Sequence, residues 1–187
     1  IDDAVSLQLG KNNSCYIWIH ISYPCKLFSY ESDEDKKARN NCSSLYLIDK
    51  YIPMLSKQLI EIANLKQNKL SETISARIEL NDNGSIKNYE LIEALIKPNY
   101  QITYEETNHI LDLEPREEYE LITLKNLLKK STLYRQSNGA LNFDTPYSKI
   151  TLENNVISFE KDNRTEAHQL ISEAMILMGF VISDYLS

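Results

Sequence analysis

Along the first part of the chain, apolar positions alternate with polar ones. Val5, Leu7 and Leu9 fall at every second position, which predicts a strand with one face toward a core. Gly10-Lys11-Asn12-Asn13-Ser14 reads as a turn. The run CYIWIHIS, Cys15–Ser22, is rich in β-branched and aromatic residues and predicts the next strand. The charged stretch Asp33–Asn40 predicts a short helix, and Ser44–Ile48 an extended segment. Thr73–Leu80 and Ser85–Ile96 flank Asn81-Asp82-Asn83-Gly84, whose turn chemistry predicts a hairpin.

The period then changes. Thr103 and Glu106 have the spacing of a capping box and predict a helix through about Leu113. Pro115 can open a second helix that runs to about Gln136. Lys149–Leu152 and Val156–Phe159 read as another hairpin across Glu153-Asn154-Asn155. A last helix begins near Thr165, with Ala167, Leu170, Ile171, Ala174, Leu177, Met178 and Val181 along one stripe. Strands first and helices later predict an α+β fold, a largely antiparallel sheet with helices packed around it. There is no internal repeat, low-complexity tract or interdomain linker.

Composition changes this picture little. Of the 187 residues, 42% are hydrophobic, enough for a real core. The formal net charge of −7 argues against a broadly basic nucleic-acid surface. It does not exclude a local basic channel, and metal-binding carboxylates would themselves add negative charge. Cys15, Cys25 and Cys42 are odd in number and fit no zinc spacing, which predicts a reduced intracellular chain with buried thiols. The most apolar run, Ala174–Ile182, is too short to span a bilayer, and there is no signal peptide. The chain starts with Ile1, and both ends fall inside structured-looking segments, so the expectation is a piece of a larger domain.

Taken by themselves, few residues point to chemistry. Asp2-Asp3 is an adjacent acidic pair of the kind that is usually only solvated. His20, His109 and His168 are far apart and read as structural or surface histidines. No glycine loop for phosphate is present.

Several segments taken in order are more specific. Ile1-Asp2-Asp3-Ala4 resembles the end of the D-x-x-x-x-x-D-x-D-D-A motif of the ribonuclease II / ribonuclease R family. Trp18-Ile19-His20-Ile21 is similar to its VHIAD strand. Ser44-Leu45-Tyr46-Leu47 with Ile52-Pro53-Met54-Leu55 is similar to SVYL…IPMLP. Leu80–Gly84 resembles LDEDG, Ile102–Glu106 resembles LTYEEA, and Gly139–Phe143 resembles GALDF. Ala167–Ile171 with Glu173-Ala174-Met175 resembles AHRLIEEFM. The resemblance runs through the whole chain with suitable spacing.

It implies the N-terminal portion of an RNB exoribonuclease catalytic domain over residues 1–187, an incomplete RNB-type α+β domain. The implied reaction is 3′→5′ hydrolysis of single-stranded RNA to nucleoside 5′-monophosphates in the cytoplasm, with neither DNA nor a membrane as partner. Asp2 and Asp3 would be catalytic and metal-binding, holding Mg²⁺ through hard oxygen ligands so that it activates water and neutralises the phosphate. Tyr46, Tyr104 and Phe143 would contact RNA: Tyr46 and Phe143 would clamp the terminal bases, since stacking requires only a π-face and tolerates any base, and Tyr104 would lie near the terminal nucleotide.

The chain also departs from the family pattern. Tyr23 stands where Asp is frequent, Asn41-Cys42 replaces Arg-Gly, Ser172 replaces the first Glu of the EE pair, and Gly179 replaces an Asn. The competing expectation is therefore a degenerate homologue that holds RNA or a protein partner without cleaving it.

Overall fold

The computed structural model describes residues 3–11, 14–142, 147–153, 156–162 and 164–187. Its centre is a four-stranded antiparallel sheet in the order β1-β2-β5-β6. These strands are β1 (Ala4–Leu9), β2 (Cys15–Ser22), β5 (Ser71–Leu80) and β6 (Ile86–Ile96). The connection from β2 to β5 carries a 3₁₀ turn (Pro24–Leu27), α1 (Asp33–Asn41), the two-residue strands β3 (Leu45–Tyr46) and β4 (Tyr51–Ile52), and α2 (Lys57–Ala63). After the sheet come α3 (Tyr104–Leu113), a 3₁₀ turn (Arg116–Glu118) and α4 (Tyr119–Ser137). The hairpin β7 (Tyr147–Glu153) with β8 (Val156–Asp162) and then α5 (Glu166–Tyr185) complete the chain.

The predicted α+β class holds, and alternation explains the layering. Ile17 and Ile19 of β2 join Leu7, Ala76 and Ile78 in a buried cluster with Leu111, Leu124, Leu128, Leu170, Ala174, Leu177, Met178 and Val181 from the helices. One face of the sheet is therefore roofed by α3, α4 and α5. The predicted α5 stripe is the part of that helix that packs, with Ile171 only partly covered. A smaller cluster of Ala38, Leu55 and Leu59, flanked by Phe28, Met54 and Ile60, holds the β2–β5 connection together.

The β5–β6 turn shows why Gly84 is needed. Its φ is +88°, and a Cβ there would lie 2.1 Å from the Lys130 carbonyl oxygen of α4. The turn thus reaches down to the helix layer, with Glu79 and Leu80 flanking a register shift.

Two expectations change. The helix α2 is absent from the sequence reading, because seven residues with only Leu59 and Ala63 buried show too little of a period to detect. The thiols are not buried. All three cysteines are free; Cys25 and Cys42 are exposed and Cys15 is half-buried, because Cys25 lies in the 3₁₀ turn and Cys42 at the end of α1.

Candidate functional site

Asp3 lies one residue before β1 and is exposed. Its partner in the acidic pair, Asp2, and the aromatic candidate Phe143 both lie outside the described residues. What fixes the backbone beyond Asp3 is clear. Ala4 pairs with His20 and Val5 with Ile19, so β1 is registered against β2 from its first residue.

His20 secures that register from the sheet face away from the large helices. Its Nε2 lies 3.1 Å from Ser6 Oγ of β1, and its Nδ1 lies 2.8 Å from Ser75 Oγ of β5. Ser75 Oγ is in turn 2.8 Å from Thr73 Oγ1. One imidazole thus ties three strands. Burial lowers its pKa to about 4, so the ring is neutral at physiological pH.

The described residues do not form a metal site by themselves. Among them, no group of three or more His, Cys, Asp or Glu side chains comes together. Asp3 offers hard carboxylate oxygens, the donor type that Mg²⁺ prefers, but not the full set such an ion requires.

The aromatic candidates occupy two different settings. Tyr46 is on the β3–β4 ribbon, directly opposite Tyr51, with ring centroids 4.8 Å apart and planes tilted by 31°. It is 79% exposed, which is far from a core position. The ribbon is braced by Ser44 Oγ, which accepts the Met54 N–H at 3.0 Å, and by Asn41 Nδ2, which donates to the Met54 carbonyl at 3.2 Å. Asn41, a departure from the family pattern, therefore serves the ribbon's geometry.

Tyr104 is the first residue of α3, just after the N-cap Thr103, which forms the expected capping box with Glu106. Its ring stacks on His168 of α5, with centroids 3.8 Å apart and planes within 18°. Tyr104 is 43% exposed and His168 half-buried, so the tyrosine is the outer member of the pair. By sequence alone His168 reads as a structural or surface residue. The signal that distinguishes it is its place three residues after Thr165, the N-cap of α5, whose backbone N–H donates to His168 Nδ1 at 3.4 Å.

At the altered EE pair, Ser172 is exposed while Glu173 is buried. Glu173 Oε1 accepts from Ser131 Oγ at 2.8 Å and Arg135 Nε at 3.0 Å, and Oε2 accepts from Arg135 Nη2. Burial pushes this carboxyl up, but the Arg135 and Ser131 bonds outweigh it and hold the pKa below the usual range. The retained glutamate is thus a tie between α4 and α5. His109 is exposed on α3. A surface cleft between β6 and α5, lined by Ile86, Tyr89, Phe180 and Asp184 among others, contains none of the candidate residues.

Known proteins place this geometry in a family. Ribonuclease II of Arabidopsis thaliana chloroplasts and mitochondria is 29% identical over 192 residues, covering 99% of this chain and 24% of that protein. Ribonuclease R of Chlamydia pneumoniae is 28% identical over 193 residues, covering all of this chain and 28% of that protein. The chain thus spans about a quarter of the length of these relatives. Among solved structures, Mycoplasma genitalium RNase R in complex with ribose-methylated single-stranded RNA superposes with a TM-score of 0.87 at 19% identity, over 95% of this chain and 29% of that one. Yeast Ssd1, a pseudonuclease, shares the fold with a TM-score of 0.72 at 20% identity, over 92% of this chain and 22% of that one. The RNB domain family matches residues 1–187, and with that match across its full extent this chain belongs to the RNB domain family.

Proposed function

We propose that residues 1–187 are the N-terminal portion of an RNB catalytic domain in a cytoplasmic 3′→5′ exoribonuclease that acts on single-stranded RNA. The observation that carries the reading is the setting of the two described aromatic candidates. Tyr46 and Tyr104 are 79% and 43% exposed, and each is seated on a second ring, the arrangement of a base-stacking platform. Core tyrosines would be covered. Asp2 and Asp3 are the proposed catalytic pair and supply two carboxylates toward Mg²⁺, with further ligands from outside the described residues. Bound Mg²⁺ would supply activated water and charge neutralisation at the phosphate. Phe143 completes the RNA-binding set. Because catalytic groups that act as a unit are strongly non-additive, this chain on its own should be inactive. Among the described residues no helix is long and apolar enough to cross a membrane.

The second reading, a non-catalytic RNA-binding or interaction domain, has one specific observation in its favour: a pseudonuclease shares the fold. Incubating the full-length protein with 5′-labelled RNA, with Mg²⁺ and with EDTA, separates the two. Stepwise shortening from the 3′ end that EDTA abolishes supports the nuclease. RNA that is bound but left intact supports the second reading. In the active protein, Tyr46→Ala and Phe143→Ala should enlarge the final product, because short oligomers have few other contacts.

A further inference from the structure

We infer that His168 is a positioning residue for Tyr104: it sets the plane of the ring on which a nucleotide base stacks. This rests on the exoribonuclease reading of Tyr104 and adds a residue to its site.

Tyr104 has little else to hold it. Its hydroxyl has no hydrogen-bond partner among the described residues, and its ring contact is the His168 face at 3.8 Å. Without that face, rotation of this 43% exposed side chain would be less restrained, and a base would have to order the ring as it binds. His168, by contrast, is fixed from its edge. Thr165 Oγ1 lies 2.7 Å from Nδ1, and the Thr165 N–H also donates to that nitrogen. The order of exposure is half-buried histidine, then exposed tyrosine, then solvent, so a base added to the outer tyrosine face would continue one stack.

Holding α3 against α5 does not require the stack. Asn108 Oδ1 of α3 accepts the Ala167 N–H of α5 at 3.0 Å, Leu111 of α3 is 2% exposed against the common core, and Lys125 bridges Glu114 and Glu166. The histidine is therefore available for a task other than helix docking.

The test uses the full-length protein and a short single-stranded oligoribonucleotide of mixed sequence in single-turnover cleavage across a range of enzyme concentration. His168→Ala should raise the half-saturating concentration by roughly fivefold to tenfold, the lower part of what one base–aromatic stack contributes. The plateau rate should stay unchanged. His168→Phe, which restores a flat face, should recover saturation to within about twofold of wild type. Tyr104→Ala should weaken saturation at least as much as His168→Ala, and adding His168→Ala to it should bring no further loss, because the histidine acts through the tyrosine. Independent, multiplying losses would overturn the inference, as would a His168→Phe protein no better than His168→Ala, or a changed plateau with normal saturation. A wild-type protein that neither holds nor shortens the RNA would instead sink the functional reading itself, and that failure shows before any variant is compared.

Discussion

The two sides of β2 obey different rules. Toward the helices, Ile17 and Ile19 are fully buried in hydrocarbon that α3, α4 and α5 supply. On the opposite side, polar groups are matched to particular partners: Trp18 Nε1 donates to Gln8, His20 joins Ser6 to Ser75, and Ser22 Oγ donates to the Ala63 carbonyl of α2. A hydrocarbon face accepts neighbours of similar volume, whereas a buried hydrogen-bonded face accepts only groups that complete its bonds. The helix side therefore contributes most of the stability, and the polar side specifies the register of β1, at whose start Asp3 stands. Glu173 is the exception, a charge set within the helix layer.

That exception gives the largest expected effect. Arg135→Ala leaves the Glu173 carboxylate buried with only the Ser131 and Thr132 hydroxyls for support, and should cost about 3–5 kcal/mol in chemical denaturation. A loss below about 1 kcal/mol would show that Glu173 simply takes up a proton, and that the helix side depends on hydrocarbon alone.

Next comes the hydrocarbon itself. Ile19→Ala should cost about 3 kcal/mol, since the site is closed on all sides and cannot collapse fully. A near-neutral result would break the distinction between the two faces.

The polar side should show its character in acid. The unfolded chain protonates His20 at its ordinary pKa of 6.5, whereas the fold resists protonation until about pH 4. Its contribution is therefore complete above the unfolded value and is lost as pH falls from there toward the folded one. The loss over that window should approach about 2–3 kcal/mol. Thermal midpoints measured against pH should fall in that range and flatten there in His20→Asn. A wild-type curve as flat as the variant's would remove His20 as the acid-sensitive tie. Glu173, whose pKa is lowered, loses its contribution only as pH falls through its own folded value, at the acid end, so the two effects separate.

How much of this was legible in the sequence follows from the same contrast. Period-2 spacing predicted β1 and helical spacing the packed stripe of α5, because hydrocarbon burial repeats along one element, while β-branched and aromatic content predicted β2. The Thr103–Glu106 box and the Asn81–Gly84 turn are local chemistry and were also readable. The polar ties were not. His20 meets Ser75 only once β2 and β5 are paired in register, and Tyr104 meets His168 only once α3 and α5 are docked. A single sequence does not display partners so far apart. Nor did it show that Glu173 turns inward while Ser172 turns out. Of the five candidate site residues, Asp3, Tyr46 and Tyr104 lie among the described residues at exposed positions; Asp2 and Phe143 lie outside them.

The central claim is that the acidic pair ahead of β1 performs chemistry on RNA and does not merely attract or hold it. The most direct measurement pairs equilibrium RNA affinity with single-turnover cleavage for full-length wild type and Asp2→Asn. The substitution is nearly isosteric, retains an oxygen ligand and removes one negative charge, so RNA attraction should not fall. The account predicts affinity within about twofold of wild type while the cleavage rate drops by about 1,000-fold or more, since metal positioning and charge neutralisation are lost together. An Asp2→Asn protein that cleaves at close to the normal rate would contradict it and leave RNA or protein binding without cleavage as the better reading.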